Sequence, residues 1–271
     1  MKIFATGLNS YLGSSFVIAA EQSGYLVHPL VNKSGDNLRL GDEPSLSDID
    51  SNSFIFHFAW SRNGGKNHQR DTNLTGLQKI LEPLSDTNAH FVFISSMAVE
   101  SRPFSHYGQL KFDAEQLVSN VGGTSVRVGL VWDDEYGGQL AKLAKTARAI
   151  RLVPNLAGIE PRLNMVHRED VARELLQFTH SQSADRQYAK YHVFANPEQV
   201  SLRRVFELVT GSKHQSSIRI PRSLVCFLDF VATRFPFIFS FWDGIHSLLL
   251  AKAQQLDVAL AERFRSIPDV Q

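Results

Sequence analysis

The chain reads IFATGLNSYLG at residues 3–13 and FISSMAVESRPFSHYGQLK at residues 93–111, and these two stretches decide the fold. The first is an apolar run followed by two glycines, which is typical of a β-strand, a tight turn and the start of a helix. Backbone N–H groups at such a helix start can bind a phosphate. The second ends an apolar run with two serines and continues to Tyr107 and Lys111, which share one face of a helix because they are four residues apart.

The composition limits the function classes. The 271 residues carry a formal net charge of +1 with both signs interspersed, so we expect no nucleic-acid partner. Cys226 is the single cysteine, which excludes an internal disulfide and suits a reducing, cytoplasmic compartment. We also expect no signal peptide, because the sequence begins directly with a short strand. No HxH, HExxH, GxSxG or GxxxxGK[ST] pattern occurs, so metal-dependent, hydrolytic and triphosphatase chemistry are disfavoured.

Short apolar runs alternate with helical patterns along the chain, which predicts an α/β fold with a doubly wound parallel sheet of Rossmann type. The predicted strands are 2–5, 26–31, 54–58, 91–94, 125–130 and 191–195, and the predicted helices are 14–23, 71–84, 107–119, 168–179 and 201–209. Residues 1–131 and 166–198 would form the dinucleotide-binding domain. Residues 132–165 and 199–271 would form a smaller, largely C-terminal substrate-binding lobe.

The apolar stretch 224–242 approaches the length of a membrane span. Asp229, Arg234 and Pro236 interrupt it, and charges near the middle of a span are costly, at about 3 kcal/mol each. We therefore predict two packed helices of the lobe, with contact to a membrane or a partner as the alternative.

Several segments, in the right order from residue 1 to about 210, resemble the extended short-chain dehydrogenase/reductase superfamily, whose members modify nucleotide sugars. The glycine turn TGLNSYLG resembles the pattern TGxxGxxG, with Ser10 at the place of the middle glycine. FISSMAV followed by YGQLK resembles the segment with the catalytic serine, tyrosine and lysine. The other similar segments are FIFHFAW, TNLTGLQKIL, SVRVGLVW, NMVHREDVARELLQF and YHVFANPEQVSLRRV.

The resemblance implies an NAD(P) cofactor, with contacts from Gly7, Ser10, Tyr11, Leu12, Gly13, Asn32, Lys33, Asp42, Phe58, Ala59, Asn73, Ser95, Tyr107, Lys111 and Leu130. Ser10 would either crowd the pyrophosphate or bond to it. After the second strand, an acidic residue would favour NAD and a basic one NADP. Because Asn32-Lys33 stands there, with no acid before Asp36, the sequence favours NADP. His57 is on a buried strand and is expected to be structural.

The resemblance also implies that Ser96, Tyr107 and Lys111 are catalytic. Tyr107 would act as general acid or base, since a nearby ammonium favours the phenolate. The leading hypothesis is an epimerase or 4-ketoreductase acting on a nucleotide-diphosphate sugar, as in polysaccharide biosynthesis, with Arg162 or Arg219 near the diphosphate. Dehydration is disfavoured, because Ser96-Met97-Ala98 lacks the acidic pair of many relatives. The alternatives are an NADPH-dependent reductase of a smaller carbonyl compound and a non-catalytic cofactor-binding protein. The resemblance also allows a homodimer through helices 71–84 and 107–119.

Overall fold

The computed structural model describes residues 1–100, 105–150, 152–156, 161–182, 191–211, 216–250, 254–256 and 263–268. Its strands, in chain order, are β1 (Lys2–Thr6), β2 (Val27–Pro29), β3 (Ser53–His57), β4 (His90–Ser96), β5 (Thr124–Val128), β6 (Leu130–Trp132), β7 (Leu152–Leu156), β8 (Arg162–His167), β9 (Tyr191–Phe194), β10 (Gln199–Ser201) and β11 (Ser216–Ile220).

The helices of the described residues are α1 (Tyr11–Gln22), α2 (Lys66–Arg70), α3 (Gly76–Leu84), α4 (His106–Asn120), α5 (Gly138–Ile150), α6 (Arg168–Gln182), α7 (Leu202–Thr210), α8 (Arg222–Arg234) and α9 (Pro236–Leu249). A π-helical turn, Asp71–Thr75, joins α2 to α3, so the predicted helix 71–84 is not one regular α-helix. A 3₁₀ turn, Met97–Glu100, follows β4.

The central sheet confirms the predicted α/β class. Within the described residues it has six parallel strands in the order β2-β1-β3-β4-β5-β9. The chain moves outward from β1 to β2 and then crosses back to β3, so the direction of winding reverses between β1 and β3. Ligands of doubly wound sheets bind at this switch point, outside the carboxyl ends of the strands. The turn after β1 and the end of β4 both lie on that edge.

Alternation along β3 explains how one strand serves two cores. Phe54 and Phe56 pack with Phe16 of α1 on one face of the sheet, whereas Ile55 packs with Leu77 of α3 on the other. Successive side chains of a strand point to opposite faces, so both faces of a central parallel strand must be apolar. The burial of every residue of β3 follows directly.

A second core lies outside the central sheet. Strands β6, β8 and β10 form a small sheet, and β7 pairs with β11. Trp132, Leu140, Leu202 and Phe206 are among the residues of this core. The predicted strand 125–130 therefore divides at Gly129, where a Cβ would lie 2.5 Å from the Asn164 carbonyl oxygen. The proposed domain boundaries remain a prediction.

The end of one other predicted element differs, and one further prediction agrees with the structure. The second strand is shorter than 26–31, because Val31 and Asn32 form isolated antiparallel bridges with Asn37 and Pro44 instead. The stretch 224–242 is divided between α8 and α9, with Phe235 in an extended conformation between them, as the sequence predicts. Among the described residues, no helix is long and apolar enough to cross a membrane.

Candidate active site

The turn between β1 and α1 requires glycine at two positions. Gly7 has φ +68°, and a Cβ there would lie 2.6 Å from the backbone nitrogen of Ala59 at the end of β3. A Cβ on Gly13 would lie 2.3 Å from the Gly7 carbonyl oxygen. Both distances are too short for a side chain, so the glycines bring the helix start close to the ends of two strands.

Ser10 is the N-cap of α1. Its hydroxyl oxygen accepts a hydrogen bond from the Gly13 N–H at 3.1 Å, so the side chain turns back onto its own helix. The N–H groups of Tyr11 and Leu12, at the first two helical positions, have no acceptor within the helix. Two backbone donors thus remain at a positive helix end, a chemistry that fits one phosphate of a dinucleotide.

The residues after the second strand that are predicted to contact the adenosine half of the cofactor lie in the loop after β2. The ammonium of the exposed Lys33 pairs with the Glu43 carboxylate and lowers its pKa. The Asn32 side-chain oxygen accepts from two backbone N–H groups of its own loop, at Ser34 and Asp36, both at 3.0 Å. Asp42 accepts the Arg39 N–H at 2.9 Å. Each of these side chains therefore already has an intramolecular partner.

Three residues near the end of β3 have structural contacts. Phe58 is buried against Phe16, and its ring faces the core beneath α1. His57 is also buried, with Nδ1 2.8 Å from the Thr6 hydroxyl, and burial lowers its pKa to about 3. His57 is therefore a neutral core residue, as expected. Ala59 lies directly behind Gly7.

Asn73 of the π-helical turn supports the loop after β3. Its side-chain oxygen accepts from the Ser61 N–H, and its amide nitrogen donates to the carbonyls of Ser61 and Gln69, all at 2.8 Å. Because these bonds occupy the buried amide, Asn73 positions the loop instead of presenting its side chain to a ligand.

The three predicted catalytic residues come together at the carboxyl end of β4. Ser96 and Tyr107 line one cleft, together with Leu130 and Arg162. The Lys111 Nζ lies 6.0 Å from the centre of the Tyr107 ring and donates to the Ile94 carbonyl at 2.7 Å. The arrangement puts a hydroxyl and a phenol at one cleft with an amine behind them.

The surroundings of Lys111 are unusually apolar. Its Nζ lies 3.8 Å from the centre of the Trp60 indole and 4.4 Å from that of the Phe93 ring. Burial, and then the charge of Arg62, lower the pKa of Lys111 well below its ordinary value. The amine is therefore held in one place by a single carbonyl and by aromatic rings.

Ser95 does not join this group. Its hydroxyl donates to Glu115 Oε1 at 2.5 Å, and Glu115 is paired with Arg127 of β5 through bonds of 2.6–3.1 Å. Arg127 also pairs with Glu100 of the turn after β4. Neighbouring residues of a strand point to opposite faces, which explains why Ser96 faces the cleft and Ser95 faces this buried ion cluster.

Two residues that contact Tyr107, Arg62 and Asp243, have no signal in the motifs. The Arg62 guanidinium lies 4.1 Å from the centre of the Tyr107 ring, and the amide of Gln139, turned so that its oxygen faces Arg62, accepts from both terminal nitrogens at 2.7 Å. Asp243 of α9 accepts the backbone N–H of Tyr107 at 3.2 Å. Burial raises the pKa of Asp243. Both contacts join segments far apart in sequence.

Tyr11, Arg168 and Asp133 form a cluster beside the glycine turn, and the motifs do not indicate this cluster. The Tyr11 ring packs on Gly137 and Gly138, with the Arg168 guanidinium 5.0 Å from its centre. Arg168 in turn pairs with Asp133 at 3.2 Å. Burial, and then Asp133, raise the pKa of the Tyr11 phenol, so it stays protonated. Tyr11 therefore joins the turn to the segment that leads into α5.

No family model matches the sequence, and no curated protein is significantly similar to it. Solved structures are similar in fold. A UDP-glucose 4-epimerase from Thermotoga maritima, solved with UDP-glucose, is 20% identical with a TM-score of 0.57, and the match covers 82% of this chain and 86% of that one. A dTDP-glucose 4,6-dehydratase from Bacillus anthracis, solved with NAD, is 15% identical with a TM-score of 0.56 (82% and 84% covered).

A hypothetical dTDP-4-dehydrorhamnose reductase from Sulfolobus tokodaii is 15% identical with a TM-score of 0.60, and the match covers 81% of this chain and 86% of that one. Because the sequence identities are this low, these comparisons show similarity of fold alone. Together with the six-stranded parallel sheet, they confirm the resemblance found in the sequence at that level: the chain has the fold of the extended short-chain dehydrogenase/reductase superfamily.

Proposed function

We propose that this protein is an NAD(P)-dependent oxidoreductase that epimerises or reduces the sugar of a nucleotide diphosphate. The observation that carries the proposal is the cleft that Ser96 and Tyr107 line together, with Lys111 behind the tyrosine ring. The cleft lies on the same edge of the sheet as the α1 start, where two N–H groups are available to a phosphate. One edge of the sheet therefore carries both the groups suited to phosphate binding and the groups suited to proton transfer.

Each residue has a definite task in this proposal. Tyr107 exchanges a proton with the oxygen of the reacting sugar carbon, and the Ser96 hydroxyl donates a hydrogen bond to the same oxygen. Lys111 places its amine behind the Tyr107 ring, where the hydrogen bond to the Ile94 carbonyl fixes its position. The nicotinamide cofactor, when bound, accepts or supplies the hydride. Tyr11 and Leu12 would hold its phosphates through their backbone N–H groups.

The substrate class is supported by the similar structures and by the cleft itself. One similar protein was solved with UDP-glucose, and another is described as a dTDP-sugar reductase. Arg162 lines the cleft and supplies a charge for a diphosphate. Met97 and Ala98, which follow Ser96 in the cleft lining, are not acidic, which favours epimerisation or reduction over dehydration.

The proposed preference for NADP depends on Lys33. Its ammonium contacts Glu43, so binding a 2′-phosphate requires it to exchange one anion for another. We expect Lys33→Ala to weaken NADPH binding and leave NADH binding unchanged, and Glu43→Gln to strengthen NADPH binding. Parallel calorimetric titrations of the cofactor-stripped protein measure both effects. If the unmodified chain and the Lys33→Ala and Glu43→Gln variants all bound NADPH with the same affinity as NADH, the NADP preference would be refuted.

Turnover tests the whole proposal. The protein is incubated with NAD(H) or NADP(H) and a panel of UDP- and dTDP-sugars, and products and nicotinamide absorbance are followed. Tyr107→Phe should abolish turnover while retaining cofactor binding, and Tyr25→Phe, a tyrosine away from the cleft, is the matched control. Cofactor binding without turnover of any sugar or simple carbonyl compound would instead indicate a non-catalytic protein. Full activity of Tyr107→Phe would refute the mechanism.

A further inference from the structure

A positive charge from outside the serine–tyrosine–lysine motif faces the ring of Tyr107. The Arg62 guanidinium carbon lies 4.1 Å from the centre of this ring, whereas the Lys111 Nζ lies 6.0 Å from it. A guanidinium over the face of an aromatic ring is attracted by its π-electrons, and the attraction becomes stronger when the ring carries a negative charge. Of these two cations, Arg62 is therefore the better placed to act on the tyrosine.

The surroundings of Lys111 make its amine a poor source of charge. The residue is 4% exposed, and its Nζ lies against the rings of Trp60 and Phe93. Burial, and then the charge of Arg62, lower the pKa of Lys111 well below its ordinary value. An amine in such a site is neutral for a larger share of the time, whereas a guanidinium stays protonated. The lasting charge beside the tyrosine ring is therefore that of Arg62.

The position of Arg62 is fixed through both its backbone and its side chain. The buried amide of Gln69 donates to the Arg62 carbonyl at 2.9 Å, and Asn73 bonds both backbone groups of the preceding residue at 2.8 Å. The Gln139 oxygen accepts from both terminal nitrogens of the guanidinium at 2.7 Å. These partners are neutral, and within the described residues no carboxylate forms an ion pair with Arg62. The guanidinium therefore keeps an unneutralised charge over the ring.

We propose that Arg62 is a positioning residue of the reaction, which holds the Tyr107 ring and stabilises the negative charge that the ring bears after giving up its proton. The inference rests on the proposed function, because it concerns the same tyrosine. In the direction of reduction, the carbonyl oxygen of the substrate takes the Tyr107 proton as its carbon accepts the hydride. The tyrosine O–H bond breaks, and the phenolate that remains lies under the guanidinium. Asp243 holds the same tyrosine from its backbone N–H at 3.2 Å.

Turnover kinetics separate the charge of residue 62 from its shape. Arg62→Met removes the charge and nearly preserves the aliphatic length, whereas Arg62→Lys retains a charge. With a UDP- or dTDP-sugar that the unmodified chain converts, Arg62→Met should lower kcat on the order of 100-fold, because a charge about 4 Å from the ring is lost. KM and the calorimetric affinity for the cofactor should not change. Arg62→Lys should recover about a tenfold part of the loss.

Arg70→Met is the matched control, because it removes an exposed arginine from the following helix, where its partner is Asp113 at 2.8 Å. It should keep the kcat of the unmodified chain. A kcat of Arg62→Met equal to that of this control would overturn the inference and leave the proposed function intact. Equal losses in Arg62→Met and Arg62→Lys would overturn it too, since the effect would then follow shape instead of charge.

Nitration of Tyr107 by tetranitromethane is a second readout, and it requires no turnover. The reagent attacks phenolates much faster than protonated phenols, so its yield at one fixed pH follows the stabilisation of the anion. We expect Arg62→Met to lower the Tyr107 yield about tenfold and Arg62→Lys to retain most of it, by mass spectrometry with Tyr25 as the internal reference. An undiminished yield in Arg62→Met would contradict the inference. A lowered yield in a chain that converts no sugar would support the action of Arg62 on Tyr107 and refute the proposed function.

Discussion

Replacing Arg127 by methionine should strongly destabilise the fold, because the change leaves a buried carboxylate without its partner. The side chains of Arg127 and Glu115 are 10% and 5% exposed, and three hydrogen bonds of 2.6–3.1 Å join them. Removing one member of such a pair typically costs about 3–5 kcal/mol, mostly from the desolvated charge that remains. Methionine nearly preserves the aliphatic packing, so the loss reports the charge.

The assay is reversible urea unfolding followed by circular dichroism. We expect Arg127→Met to lower the free energy of unfolding by about 4 kcal/mol. Adding Glu115→Gln should restore about 2 kcal/mol of this, because glutamine carries no charge and its oxygen still accepts the Ser95 hydroxyl. A loss below about 1 kcal/mol in the single variant, or a double variant no more stable than the single one, would refute the reasoning.

Three further outcomes follow from the described contacts. Ser10→Gly should lower stability by only a few tenths of a kcal/mol, and it should raise dinucleotide affinity about tenfold in calorimetry by freeing a third helix N–H; unchanged affinity would contradict this. Burial lowers the pKa of His57 to about 3 and that of His106 to about 4, so stability should be lost as the pH falls below about 6.5; urea titrations across this range that show rising stability would exclude it. Asn73→Ala should lower the unfolding free energy by about 2–4 kcal/mol, since backbone groups around Ser61 lose their partners, and an unaltered thermal midpoint would rule out that role.

The sequence predicted the features that depend on local spacing. Two glycines after a buried strand specify a close turn, whatever the rest of the chain does, and the structure has that turn. Tyr107 and Lys111 share a face because they lie one helical turn apart. Short apolar runs that alternate with helical patterns predicted a doubly wound sheet of parallel strands. Each of these conclusions needs only the neighbours of a residue in the chain.

Some details were within reach of local rules but were missed. A helix starting at Tyr11, and not at residue 14, would have made Ser10 an N-cap by the usual preference for serine there. The same pleat that turns Ser96 toward the cleft turns Ser95 away, as the two-residue period of a strand requires.

Other features were decided by the tertiary structure alone. Asp243 reaches the N–H of Tyr107 across 136 positions of the chain, and Arg62 reaches the same tyrosine ring from the loop after β3. Lys33 meets Glu43 because the loop after β2 folds back on itself. Such contacts depend on how whole elements pack, and no periodicity or motif encodes the distance between side chains from different elements. The sequence thus determined which residues could form a site, and packing determined which side chains surround Tyr107 and which remain on the surface.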